Sequence, residues 1–221
     1  MNLRKHLVIA LFLLCVAPLQ IDAQDKHFST QRPGPRSWLI LPAGASGGTI
    51  TAQTTEAGLT RTYGKANVVA QAVDLGEGET ELGTTLFPAD PVRQVEILWK
   101  DPLGKRWPKR VQISGGKSLW RTVHGISLGT TLKNLEQLNR KPFLLTGFDW
   151  DYSGTVVSWN NGALGQELDH PGRVLLRLMP SHDHSQRLDY SSVEGDRDFS
   201  SRHPAMQKLH PAVYQLIWFF P

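Results

Sequence analysis

Residues Gly125 to Gly129 read Gly-Ile-Ser-Leu-Gly, a Gly-x-Ser-x-Gly that in a hydrolase presents a nucleophile, here Ser127. Such an elbow needs a strand before the serine, a sharp turn at it and a helix straight after. It also needs a parallel sheet that brings an acid and a histidine to the serine. Residues Ser118 to His124 read as the strand, the stretch after Thr131 reads as the helix, and Asp183 with His184, His203 or His210 lies downstream. Two features oppose catalysis. The segment recurs upstream, where Thr51 stands in the place of Ser127 and Thr49 and Gln53 stand in the places of the two glycines. The neighbouring strands are joined by short hairpin turns, whereas a hydrolase sheet requires long crossover connections. The expectation is that Ser127 leads into a capped helix and that no residue is catalytic, with a secreted serine hydrolase using Ser127 as the alternative.

Asp149 and Asp151 flank Trp150. On a strand they project to one face about 7 Å apart, where two carboxylates bind a cation or share acid–base work, or else form a solvated face. Glu194, Asp196 and Asp198, with His182 and His184, offer oxygen and imidazole ligands. They fall short of a calcium loop and lack the rigid frame of a zinc site, so neither a metal nor a cofactor is expected. The chain has seven tryptophans. Trp99, Trp150 and Trp218 sit in apolar strand patterns and read as core. Trp107 and Trp120 lie beside turns with Lys and Arg nearby and read as binding residues, able to stack on a sugar ring or anchor a protein interface.

Those side chains need elements to hold them. At the start of the chain, Arg4 and Lys5 precede an apolar run from Leu7 to Val16, then Pro18 and Ala23. This pattern is that of a secretory signal cleaved near Ala23, which places the mature chain in the periplasm or outside the cell. The apolar run is half the length a membrane-spanning helix needs, so no transmembrane segment is expected in the mature chain. Cys15 is the only cysteine. The mature chain therefore forms no disulfide and depends on packing. The formal net charge is +4 without any Lys/Arg block, which excludes nucleic acid as a partner.

Gln24 to Ser37 is a polar, proline-containing lead-in. Beyond it, Ile50, Thr54, Thr55, Leu59 and Lys65 align without a gap on Ile126, Thr130, Thr131, Leu135 and Lys141. Each copy is an apolar strand end, a Thr-Thr pair able to cap a helix, and a short helical stretch. Gly64 ends the first helix and Pro142 stops the second, while Leu132, Leu135 and Leu138 form an apolar stripe. Strand-like runs joined by tight turns follow each helix. After the second they include Phe143 to Tyr152, Gly154 to Trp159, Ala163 to Leu168 and Arg173 to Pro180. Pro204 to Leu209 reads as a short helix, and Ala212 to Phe220 as a strand apolar on both faces, which suits a central position.

The pattern GISLGTTLKNLEQLN.KPF..GFDWDYSGTVVSWNNGAL, with LGEGET and EILWKD before it and EGDRDFSS after it, resembles a family of uncharacterised exported bacterial proteins. Those proteins usually carry Gly where this chain has Arg140, and the family brings no catalytic residue. More distantly, a tandem repeat of helix plus antiparallel sheet is similar to the β-lactamase inhibitory protein and to small outer-membrane assembly lipoproteins. The expected class is α+β, two tandem units of short helix plus antiparallel meander with a C-terminal strand. The expected segments are a signal peptide (1–23), the lead-in (24–37), a first unit (38–124), a second unit (125–180), a polar loop holding one short helix (181–211) and the last strand (212–221). The expected function is non-enzymatic binding of another envelope protein or a polymer across the concave surface of paired sheets. Carbohydrate binding through exposed tryptophans is a further alternative.

Overall fold

The computed structural model describes residues 38–41, 49–168, 173–180 and 190–221. The signal peptide, the lead-in, and the part of the polar loop holding His182, Asp183 and His184 lie outside the described residues. Strands β1 (Ile40–Leu41) and β2 (Ile50–Thr51) pair in parallel ahead of helix α1 (Glu56–Tyr63). A meander follows: β3 (Val68–Gly76), β4 (Glu79–Leu86), β5 (Val95–Asp101) and β6 (Arg106–Ser114). Helix α2 (Leu132–Asn139) leads to β7 (Leu144–Thr146), β8 (Val156–Ser158), α3 (Gly165–Leu168) and β9 (Val174–Met179). The chain continues through β10 (Asp198–Ser200), α4 (Pro204–Leu209) and β11 (Ala212–Phe219). The result is α+β, mostly strand, with antiparallel main sheets. No helix among the described residues is long and apolar enough to cross a membrane.

One sheet runs β3-β4-β5-β6-β11-β9 and a smaller one runs β10-β7-β8. The last strand is thus central, between β6 and β9, as its apolar character on both faces requires. The two sheets meet where Thr155, just before β8, bridges Arg177 of β9, and Leu178 N–H donates to Gly154 O at 2.9 Å. Gly154 has φ +65, and a Cβ there would stand 1.8 Å from Leu178 O, so only glycine allows this junction.

Both helices have eight residues, too few to persist alone in water, and both are held by their starts and by one apolar face. Thr55 Oγ1 accepts from Gly58 N–H and Thr131 Oγ1 from Asn134 N–H. Just upstream, Thr51 N–H donates to Thr54 Oγ1 at 2.9 Å and Ser127 N–H to Thr130 Oγ1 at 3.1 Å. Thr54 O accepts from Trp107 N–H at the start of β6, and Thr130 O from Val213 N–H at the start of β11. Leu59, Leu132 and Leu135 join Val95, Ile97, Trp99, Leu216 and Trp218 in one buried core. Each such leucine contributes about 1.5–3 kcal/mol. Leu138 is turned outward, and the buried position one residue on belongs to Asn139. Its amide donates to Lys141 O and Trp159 O and its Oδ1 accepts from Leu164 N–H.

Three expectations need correction. Ala163 to Leu168 holds a helical turn, α3, in place of a strand. Ser118 to His124 forms no strand beyond an isolated bridge from Arg121 to Leu39. The strand read over Phe143 to Tyr152 ends at Thr146. The chain leaves the sheet at Gly147, where a Cβ would lie 2.5 Å from both Val193 O and Gly195 O, and Asp149 takes φ +59.

Candidate functional site

Ser127 lies in an irregular stretch ahead of α2. Its hydroxyl donates to Trp120 O at 2.6 Å, with Ser118 O at 3.1 Å, so its proton points at main-chain carbonyls. His203 caps α4, its Nδ1 accepting from Ala205 N–H, and packs edge-on against Phe199. His210 takes a left-handed conformation at the other end of that helix. The serine hydroxyl is thus bonded to the main chain, and the two histidines stand at the two ends of α4.

Trp120 is fully buried, which removes it from any binding surface. Its ring stands edge-on to Trp38 at 5.0 Å and its Nε1–H donates to Arg93 O at 2.6 Å. The Lys and Arg nearby in sequence do not accompany it into the core. Asp149 and Asp151 stand in a turn and not on a strand, so strand spacing does not relate them. Asp149 accepts from the Tyr190 hydroxyl at 2.9 Å, and Asp151 is exposed. Burial, then this bond and the carboxylates of Asp149 and Glu194, push the Tyr190 hydroxyl up to about 12. Trp150, read as core, is only partly buried, its Nε1–H bonded to Gly147 O. Among the described residues no three His, Cys, Asp or Glu side chains converge as a metal site would need.

Trp107 is 44% exposed, with φ +57 and the Arg106 guanidinium 4.8 Å from its ring centre. It closes the β5–β6 hairpin, which the structure builds rigidly. Asp101 accepts from Gly104 N–H and from Arg106 Nε–H, both at 2.9 Å, and these donors hold its carboxyl below the usual range. At Gly104 a Cβ would stand 2.4 Å from Asp101 Oδ2, so a side chain there would displace the Asp101 carboxylate. The hairpin is bonded to α1 through Glu56 N–H to Lys105 O at 2.9 Å and Trp107 N–H to Thr54 O at 3.1 Å. Side chains repeat the link: Glu56 accepts from Lys105 Nζ at 2.9 Å and from the buried Thr84 hydroxyl, which in turn accepts from Trp99 Nε1–H.

At the tip of this braced hairpin Leu103 is 99% exposed. A cleft of about 620 Å³ lies beside it, between Glu56, Ala57, Thr60 and Arg61 of α1 and Leu103 to Lys105 of the hairpin. Leu103, Arg61 and the Glu56–Lys105 pair were not singled out in the sequence. The one available signal was an apolar residue inside the turn Asp-Pro-Leu-Gly-Lys, where turn chemistry favours polar residues. No family model, curated protein or solved structure matches the chain.

Proposed function

We propose that the protein is an exported, non-enzymatic binding protein that engages another envelope protein or polymer through the Leu103–Trp107 hairpin and the cleft beside α1. The observation that carries this reading is Leu103, an apolar side chain held almost wholly in solvent on a hairpin that hydrogen bonds and ion pairs make rigid. A rigid loop presenting an apolar residue loses little entropy on binding. Trp107 and its stacked Arg106 are of the types enriched at interface hot spots. The matched hydrogen bonding at the starts of α1 and α2 supports two tandem units, and the signal-like start of the chain supports work in the periplasm or outside the cell. The proposal extends the resemblance to exported bacterial proteins.

Burying Leu103 in a partner is worth about 1.5–3 kcal/mol, a tenfold to hundredfold factor in affinity. Immobilised mature protein is exposed to envelope extract, and the retained species is quantified against Leu103→Asp, Trp107→Ala and, as an exposed control, Val123→Asp. The first two variants are expected to lose retention at least tenfold while the control keeps it. Equal retention by all three would remove the hairpin from the interface.

A further inference from the structure

The two edges of the six-stranded sheet are finished differently. At the β9 edge the chain just before β8 lies alongside, with Thr155 bridging Arg177 and Leu178 N–H donating to Gly154 O. The β3 edge is open. Strand β3 stays in register with β4 from Val68 to Asp74, and only then does a bulge interrupt the pairing. Phe87 N–H donates to Asn67 O at 2.8 Å, which fixes the alternation of the ladder. The pairs Val69/Thr85, Gln71/Gly83 and Val73/Glu81 are therefore the hydrogen-bonded ones. The N–H and C=O groups of Val68, Ala70, Ala72 and Asp74 point away from β4. Two of these residues are engaged elsewhere: Val68 N–H bonds to Lys65 O, and Asp74 O accepts from Gln112 Nε2 at 3.0 Å. Among the described residues nothing bonds to the outward main-chain groups of Ala70 and Ala72.

Proteins protect an open edge with lysine, proline, an early bulge or a very short strand. From Val68 to Val73 this edge has none of them: it reads Val-Val-Ala-Gln-Ala-Val, without charge or register shift. Val69 is 39% exposed, and Ala70, Gln71 and Ala72 are exposed as well. Leu82, opposite Ala72 on β4, is 66% exposed. Small and uncharged side chains leave room for another backbone at the spacing of neighbouring strands, about 4.8 Å.

The order of these residues says which backbone fits. Residues 69–73 read Val-Ala-Gln-Ala-Val, the same in both directions. Laid antiparallel against a second copy about an axis at Gln71, Val69 meets Val73, Ala70 meets Ala72 and Gln71 meets itself. That register joins Ala70 to Ala72, the two residues whose main-chain groups are unmet, so they exchange hydrogen bonds on both sides of the axis. A slip of one residue would set inward-pointing groups against outward-pointing ones. Gln71 then faces Gln71 as a non-hydrogen-bonded pair, the closer kind, and each carboxamide is able both to donate and to accept. Two-fold association requires a self-complementary patch, and no charge within residues 69–73 opposes it. We propose that β3 is a self-association edge, pairing antiparallel with β3 of a second copy about a two-fold axis at Gln71. This contact uses neither the Leu103 hairpin nor the cleft beside α1, and it is independent of the function proposed for them.

Pairing over residues 69–73 buries less than a standard interface, so a Kd of about 1–100 μM is expected. Sedimentation velocity of the mature chain across that range is expected to show a monomer–dimer equilibrium. Gln71→Lys and Gln71→Glu each set like charges face to face and are expected to weaken the dimer about tenfold or more. Mixing the two variants is expected to restore it as a heterodimer, because the charges across the axis are then opposite. Val123→Lys, an exposed apolar position outside the edge, is expected to leave the equilibrium unchanged. If a charged variant fails to fold, Gln71→Cys decides. The chain from Gln24 onward holds no cysteine, and facing residues of a non-hydrogen-bonded pair lie within disulfide reach, so mild oxidation is expected to link Gln71→Cys, but not Val123→Cys, into dimers. A parent chain that stays monomeric throughout, a Gln71→Lys dimer as tight as the parent, or a mixture that forms no heterodimer would each overturn the proposal.

Discussion

Arg140 ends helix α2 at φ 59 and ψ 9, in the left-handed region, with its side chain exposed. An L-residue there costs about 1–2 kcal/mol, because its Cβ crowds the following carbonyl. Glycine escapes that crowding but gives up about 0.5–1 kcal/mol more backbone entropy on folding. The balance favours glycine over any other residue by about 0.5–1 kcal/mol. The last turn of α2 has no other basic residue, so losing the arginine charge returns about 0.3 kcal/mol at an exposed helix end. Arg140→Ala loses the same charge and keeps the strained backbone, so the glycine-minus-alanine difference isolates the conformational effect. Urea unfolding is expected to rank Arg140→Gly above the parent chain and Arg140→Ala at or below it, with m unchanged. The glycine variant is expected to melt about 1–4 °C above the alanine variant. If glycine were no more stable than alanine, the left-handed helix end and the capping argument built on it would be wrong.

Ser127→Ala leaves the carbonyls of Trp120 and Ser118 without their donor and is expected to cost about 1 kcal/mol in chemical denaturation. A fluorophosphonate probe is expected to leave Ser127 of the parent chain unlabelled, and labelling there would restore the hydrolase reading. Tyr190 has a folded pKa near 12, above its unfolded value of about 10, so its contribution to stability is complete below about pH 10 and is lost as pH climbs towards 12. Tyrosinate absorbance at 295 nm is expected to show a late-titrating component that Tyr190→Phe removes, together with part of the stability loss over that range.

Much of the fold was legible because it is written in local chemistry. Val95, Ile97 and Trp99 recur at every second position and lie buried in the main core. Thr55 and Thr131 cap their helices, and Pro204 opens α4 at the position where its missing N–H costs nothing. The segment from Phe148 to Tyr152 misleads because aromatic and acidic residues alternate there with the period of a strand. Its path is set from a distance, by Phe148 N–H bonding to Val193 O and Gly195 N–H to Phe148 O. Trp120 misleads for a similar reason: its neighbours in sequence are basic, but its neighbours in space are Trp38 and the main chain at Arg93.

The order of residues along the chain was enough to settle the threonine caps of α1 and α2, the proline start of α4 and the coarse α+β class, since each depends on groups a few positions apart. It could not settle which faces meet. Arg110 and Arg177 come to one face only because β11, the last strand, inserts between β6 and β9, and the β3–β4 hairpin is held to that face from afar, by Gln112 Nε2 donating to Asp74 O. Strand order and the fold-back of a hairpin are fixed by where buried surface and main-chain hydrogen bonds can be satisfied across the whole molecule.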